Sequence, residues 1–331
     1  MNKLKIIENP IEKWVSIPHD LKEVKLCFLD IETTGLNKSM DTIYLVGLIC
    51  FDDSINMWKS IQIFAEELNE EVDILLEAYK IISSSDLIVN YNGSSFDIPF
   101  INNKLKYYKT NLTIDIDLSL DIYRIIKANR NILPLENLKL KTVEEYLNIY
   151  REDKHTGKDC INFYFDYLVT KNLLSRENIL LHNYNDLYYL MEVLDILNIL
   201  DSKKSFCINY KNNENFLYIE SIYLSKDYLF IDGHIKGSNL DSIMYFADNY
   251  KVIINKDNSF EVSIEIIKGL VTPTKSCLFI RTEDFNLSNK TYCIDEFKIP
   301  GNLILLEVEK IYYIENIKTV IGELIASTLE G

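Results

Sequence analysis

Three apolar runs lie almost end to end early in the chain: residues 25–30 (KLCFLD), 43–51 (IYLVGLICF) and 55–64 (INMWKSIQIF). Only short polar turns separate them, Leu36 to Thr42 and then Asp52-Asp53-Ser54. Strands joined this tightly run antiparallel, because a parallel pair needs a crossover of about a dozen residues or more. The pattern then changes. From Glu66 to Ser83 the apolar residues Leu68, Val72, Leu75, Leu76, Tyr79 and Ile82 recur at helical spacing. Asp86–Asn90 reads as a short strand, and Asn92-Gly93-Ser94-Ser95 as a turn that opens a helix from about Phe96 to Tyr107. The order β-β-β-α-β-α predicts an α/β arrangement around a mixed sheet. Further helices are expected near 118–129, 141–148, 159–172 and 176–200, with Leu133-Pro134 and His155-Thr156-Gly157 as breakers.

The chain has 331 residues, more than one hydrophobic core usually serves, so two domains are expected. After about residue 201 the texture becomes β-rich, with short strand-like runs from Phe216 to Glu309, a hairpin turn at Asn255–Ser259 and a final helix over Ile314–Leu329. The reading is an extension over 1–23, an α/β domain over 24–202 and a smaller β-rich domain over 214–331 whose strand aromatics, Tyr218–Tyr223 and Tyr228–Phe230, are read as core. The opening MNKLKIIENPIEKW lacks the apolar segment of a secretory signal. No run of about 18 apolar residues predicts a membrane span. The six cysteines are scattered without a CxxC pair, which suits free thiols in a reducing cytoplasm.

Chemistry concentrates in three places. In Phe28-Leu-Asp-Ile-Glu-Thr-Thr-Gly-Leu36, Asp30 and Glu32 are two apart on a strand and share a face. Carboxylates held side by side repel unless a cation lies between them, and an oxygen-seeking divalent ion satisfies that arrangement. In Asn90-Tyr-Asn-Gly-Ser-Ser-Phe-Asp-Ile-Pro-Phe100, Asp97 falls in the first turn of a helix, where the dipole favours an acid. In His182-Asn-Tyr-Asn-Asp186, His182 and Asp186 are i and i+4 and share a helix face. Each taken alone has an ordinary structural explanation in a polar turn, a helix cap or a surface helix.

Taken together and in this order, the three segments resemble the DEDD exonuclease superfamily, and within it the YprB-type ribonuclease-H-like domain. The Leu138–Leu147 stretch (LKLKTVEEYL) adds to the likeness, which covers residues 24–200. The resemblance implies a ribonuclease-H-like mixed five-stranded sheet flanked by helices and a 3′-5′ exonuclease using two Mg²⁺ or Mn²⁺ ions. Asp30, Glu32 and Asp186 would hold one ion, with Asp30 bridging to a second that Asp97 binds. His182 would orient or deprotonate the attacking water. The sequence departs from the superfamily in one respect. Its tyrosine subgroup has Tyr four residues before the last Asp, and its histidine subgroup has His five before. Here His182 takes the tyrosine spacing, which leaves the identity of the base open.

Substrate contacts would fall to Thr33, Thr34, Asn92 and Ser95, with turn chemistry as the alternative role for each. The net charge of −15 opposes extended binding to phosphate. The segment 99–141 is an exception, with eight basic and four acidic residues, Lys139 and Lys141 among them. The resemblance implies a nucleic acid partner, DNA or RNA with single-stranded ends, and the net charge predicts that it is gripped locally. The competing expectation is a catalytically weak or inactive nucleic-acid or protein-binding module that keeps the fold.

Overall fold

The computed structural model describes residues 4–330, apart from 13–16, 152–154, 212, 237–239, 241, 286 and 288–296. The chain divides into two compact units. The first comprises Met1–Ala128 and Leu135–Ile196, the second Asn129–Pro134 and Leu197–Gly331.

The first unit is built on a six-stranded mixed sheet. Its strands are β1 (Lys5–Ile11), β2 (Leu26–Thr33), β3 (Ile43–Asp52), β4 (Met57–Phe64), β5 (Leu87–Asn90) and β6 (Ser119–Asp121), in the order β1-β4-β3-β2-β5-β6. The first four pair antiparallel, as the short turns require, and β5 and β6 add in parallel. β3 is central and buried over Ile43–Ile49, which accounts for its unbroken apolar run. Around the sheet lie α1 (Glu71–Ile82), α2 (Asp97–Tyr107), α3 (Ile122–Ala128), α4 (Leu140–Tyr146), α5 (Gly157–Thr170) and α6 (Leu173–Val193).

The sheet has one strand more than expected. Lys5–Ile11, read as part of an extension, pairs along the whole of β4 and forms the edge. Its alternation is weak and it carries Pro10, a residue that an edge strand tolerates. The helix expected over 118–129 is shorter than its pattern. Ser119–Asp121 pairs in parallel with Ile88–Asn90, so only Ile122–Ala128 is helical. The helix expected over 176–200 starts earlier, at Leu173, where the Asn172 side chain accepts the Leu174 N–H, and it ends at Val193.

Beyond Asn129–Pro134, the second unit takes in α7 (Ile196–Lys204) from its second residue, followed by β7 (Ser205–Tyr210), β8 (Asn213–Ser225), β9 (Tyr228–Lys236), β10 (Ile243–Phe246), β11 (Tyr250–Ile254) and β12 (Ser259–Glu265). These strands form an antiparallel sheet in the order β10-β11-β12-β9-β8-β7. A second sheet contains β13 (Ile267–Leu270), β14 (Ser276–Arg281), β15 (Leu303–Val308) and β16 (Ile311–Tyr312), followed by α8 (Ile314–Glu330). β7 lies between the two ranges read as domains, 24–202 and 214–331. The aromatics of β8 and β9 correct the expectation of core. Ile219, Leu229 and Ile231 take the buried positions, while Tyr223 stacks on Phe230 at 5.1 Å on the other face and stays half exposed. The alternation of a strand sends neighbours to opposite faces, and the aliphatic set won the inner one. No helix among the described residues is long and apolar enough to cross a membrane.

Candidate active site

β2 carries Asp30 and Glu32 on one face, and the residues across the sheet explain how Asp30 is held. In the ladder Asp30 pairs with Gly47, which pairs with Gln62. The missing side chain at Gly47 leaves a gap in that row, and the fully buried Asn183 of α6 fills it. Its Nδ2 donates to Asp30 Oδ2 at 2.7 Å, and its Oδ1 accepts from Gln62 Nε2 at 2.9 Å. Gln62 Nε2 also donates to the Leu180 carbonyl at 2.7 Å. A Cβ on Gly47 would lie 2.1 Å from Asn183 Oδ1.

Glu32 is buried, with the hydroxyl of Tyr44 3.5 Å from its Oε2. Tyr44 is the extra residue of a bulge, because Glu32 pairs with Leu45 and Thr33 with Ile43. Its ring is fixed by stacking on Tyr164 of α5 at 3.9 Å. Asp97 opens α2 and is also buried. The ladder between β2 and β5 runs from Leu26 to Phe28, and farther along β2 the Ile31 N–H donates to Asp97 Oδ1 at 3.1 Å. The carboxylate thus takes a ladder partner's place.

Asp97 is aimed by the turn before it. Asp121, at the end of β6, accepts the N–H groups of Asn92 (2.8 Å) and Ser94 (3.2 Å). Asn90 Oδ1 accepts from Gly93 N–H at 2.8 Å, and Asn92 has a left-handed backbone with φ of 65°. α6 brings the remaining groups. His182 Nε2 lies 3.8 Å from Glu32 Oε1 and 3.6 Å from Asp186 Oδ2. Tyr184 stacks on Tyr188 instead.

Residues 27–198, just over half of the chain, match the family model of the RNase_H superfamily. The chain belongs to the ribonuclease H superfamily. No curated protein matches the sequence. Among solved structures, the family B DNA polymerase of Pyrobaculum calidifontis is similar over 54% of this chain and 25% of its own, at 14% identity and a TM-score of 0.43. E. coli exonuclease I in complex with a dT13 oligonucleotide is similar over 63% of this chain and 55% of its own, at 12% identity and a TM-score of 0.33. The chain spans about half the length of exonuclease I and a quarter of the polymerase.

Within this ribonuclease-H-like unit the electrostatics fit a cation. Burial, then the charges of Asp186, Asp97 and Glu32, push the Asp30 carboxyl well above the usual carboxylate range. Burial, then Asp186 and Asp97, do the same to Glu32. Asp97 is pushed up to about 7, chiefly by burial, against the opposing Ile31 hydrogen bond. Two buried carboxyl groups, Asp30 and Glu32, whose charge is opposed by burial and by neighbouring acids, in a set dominated by oxygen, are the kind of donors that an oxygen-seeking divalent cation prefers.

The hydroxyls expected at the substrate are tied into turns. Thr33 Oγ1 donates to the Gly35 carbonyl at 2.7 Å, and Thr34 Oγ1 accepts the Thr42 N–H at 2.9 Å. Asn92 and Ser95 are exposed. Beside Ser95 stand two cations: Lys38 Nζ donates to its carbonyl at 2.9 Å, and Arg124 approaches its Oγ at 3.5 Å. Lys139 and Lys141 are exposed, but Lys104 of the same basic segment is buried 3.6 Å from Glu71.

Sequence reasoning passed over Tyr44 and four further residues of this site. Asn183 and Gln62 position Asp30, and Asp121 positions the turn before Asp97. Arg151 donates from a terminal guanidinium nitrogen to Asp186 Oδ1 at 2.6 Å while its Nε lies 3.1 Å from the buried Glu144. Asn183 was legible as part of H-N-x-x-D. Nothing local marks Gln62, Asp121 or Arg151 as belonging to the site, since the site groups they hold, Asn183, Asn92 and Asp186, lie 121, 29 and 35 residues away.

Proposed function

We propose that this chain is a metal-dependent nuclease of the DEDD type, a 3′-5′ exonuclease that hydrolyses phosphodiester bonds of DNA or RNA from single-stranded ends. The observation that carries the proposal is the meeting of Asp30, Glu32, Asp97 and Asp186, from three separate segments, within mutual electrostatic reach and beside His182. A pure binding surface gains nothing by facing phosphate with four acids. Asp30, Glu32 and Asp186 are the ligands proposed for one Mg²⁺ or Mn²⁺, and Asp30 and Asp97 for a second. When bound, such ions lower the pKa of water and neutralise charge on the phosphate. His182 receives or orients the water proton at Nε2, beside Glu32 and Asp186. Tyr44 holds Glu32, and Asn183 holds Asp30. With a net charge of −15, substrate binding is local. Asn92 and Ser95 are the proposed contacts to the terminal nucleotide, with Thr33 and Thr34 shaping the loop beside them. Among the branches of the superfamily the YprB type is the one proposed.

The test is cleavage of end-labelled single-stranded DNA and RNA with Mn²⁺, Mg²⁺ or EDTA. The expected result is a ladder shortening from the 3′ end, lost in EDTA and in Asp30→Asn. Cleavage that survives Asp30→Asn overturns the site assignment.

One observation favours a second reading, a binding module that keeps the fold. Arg151 already supplies a positive charge at Asp186 Oδ1. If that ion pair is the working state, Mn²⁺ gives no thermal stabilisation. If the cluster takes metal, stability rises with Mn²⁺ by mass action.

A further inference from the structure

Cys160 belongs to none of the groups assigned above, yet it stands among them. It is the fourth residue of α5 and fully buried, and α5 packs on α6 and β2, the elements that carry His182 and Glu32. Ligand atoms of Glu32, Cys160 and His182 all lie within 4.8 Å of one another, and all three residues are buried.

We propose that Glu32, Cys160 and His182 form a zinc site that overlaps the carboxylate cluster and is distinct from it in chemistry. The donor set decides the metal. A thiolate, an imidazole and one carboxylate make a borderline-soft S/N/O set, which is how Zn²⁺ is bound, whereas Mg²⁺ and Mn²⁺ select oxygen. Affinity for such donors also rises steeply from Mn²⁺ toward Zn²⁺. With metal–ligand lengths of about 2.0–2.3 Å, a tetrahedral site has ligand-to-ligand edges of roughly 3.5 Å. The three ligand atoms, within 4.8 Å of one another, lie near that span and would draw in on the ion. Three protein ligands leave a fourth position, which water or the Asp186 carboxylate fills. Asp186 Oδ2 is already 3.6 Å from His182 Nε2, and its side chain is 24% exposed, so the cluster opens to solvent on that side. The bound thiol loses its proton to solvent, so zinc uptake releases protons.

A functional consequence rests on the nuclease reading. Zinc held here takes Glu32 and His182 away from the roles proposed for them, so zinc inhibits cleavage that Mg²⁺ supports.

The test uses the full chain freed of metal. Co²⁺ is titrated as a spectroscopic stand-in, and Zn²⁺ affinity is measured by competition with a chromophoric chelator, for the native protein and for Cys160→Ser. The expected result is a sulfur-to-cobalt charge-transfer band that zinc displaces, absent in Cys160→Ser, with zinc affinity at least ten-fold weaker in the variant. A native protein without that band, or a band and affinity unchanged in Cys160→Ser, overturns the proposal. The cobalt band of the native protein decides even if the variant folds poorly. A cysteine-dependent band in a protein that cleaves nothing with any metal leaves the zinc site standing and removes the nuclease reading.

Discussion

Gly47 has no side chain because Asn183 occupies the space where one would lie, and this contact sets how Asp30 is presented. Gly47→Ala brings a methyl group into the Asn183 amide. Overpacking of this kind costs about 1–3 kcal/mol, to be read from urea unfolding. Asn183→Ala removes the Asn183 donor from Asp30 and leaves Gln62 only the Leu180 carbonyl as acceptor. Residues that orient a metal ligand contribute roughly 10–100-fold to metal affinity. Titration of Mn²⁺ into Asn183→Ala by calorimetry is expected to show a loss in that range, and unchanged affinity would separate this network from the metal site. Asp97 allows a prediction in pH. Its folded-state pKa, about 7, lies above the ordinary value of 3.8. Between those values the folded state holds the proton that the unfolded state releases, so metal-free stability falls as pH rises through that window and levels off above 7. Asp30 and Glu32 shift the same way. Thermal unfolding in EDTA from pH 5 to 8 is therefore expected to show a falling midpoint, with a loss on the order of a few kcal/mol. Asp97→Asn flattens part of that slope.

At the scale of elements, α6 delivers His182, Asn183 and Asp186 from one helix whose amino terminus is capped well before them. The Asn172 side chain caps the Leu174 N–H at 3.0 Å. Asn172→Ala is expected to cost about 1 kcal/mol, seen as a lower urea midpoint with an unchanged denaturant slope. Mn²⁺ affinity is not expected to change, because the cap lies ten residues before His182. Arg151 ties α4 to α6 through Glu144 and Asp186. Arg151→Met removes the positive charge beside the buried Glu144, and breaking a buried pair this way costs roughly 3–5 kcal/mol. The same change removes a positive charge from Asp186, so Mn²⁺ binds more tightly in the variant if the cluster is a metal site. Calorimetry on the folded variant checks that sign.

For the whole molecule, the net charge of −15 sets the character of binding. A chain that neutralises few phosphates has a shallow dependence of affinity on salt. Fluorescence anisotropy with labelled single-stranded DNA is expected to detect little binding in EDTA and clear binding with a divalent ion, with a weak salt slope in both. Strong binding in EDTA with a steep slope would show an extended basic surface instead.

Much of this molecule is written in local pattern. The turns between the runs at 25–30, 43–51 and 55–64 leave no length for a crossover, so antiparallel pairing follows from the sequence alone. The D-x-E spacing places Asp30 and Glu32 on one face because strand side chains alternate, and the helical spacing of 66–83 and 314–329 yields α1 and α8. Other features were settled by partners far along the chain. Lys5–Ile11 is a strand because β4 offers it an edge, and Ser119–Asp121 is one because β5 does. Whether Tyr223 and Phe230 or Ile219 and Leu229 face the core depends on what packs on each face of their sheet, which no alternation reveals. The same holds within the site. A carboxylate's identity is local, but its charge state depends on burial and on acids brought from elsewhere. Gln62, Asp121, Arg151 and Cys160 acquire their meaning only when folding closes distances that the sequence leaves long.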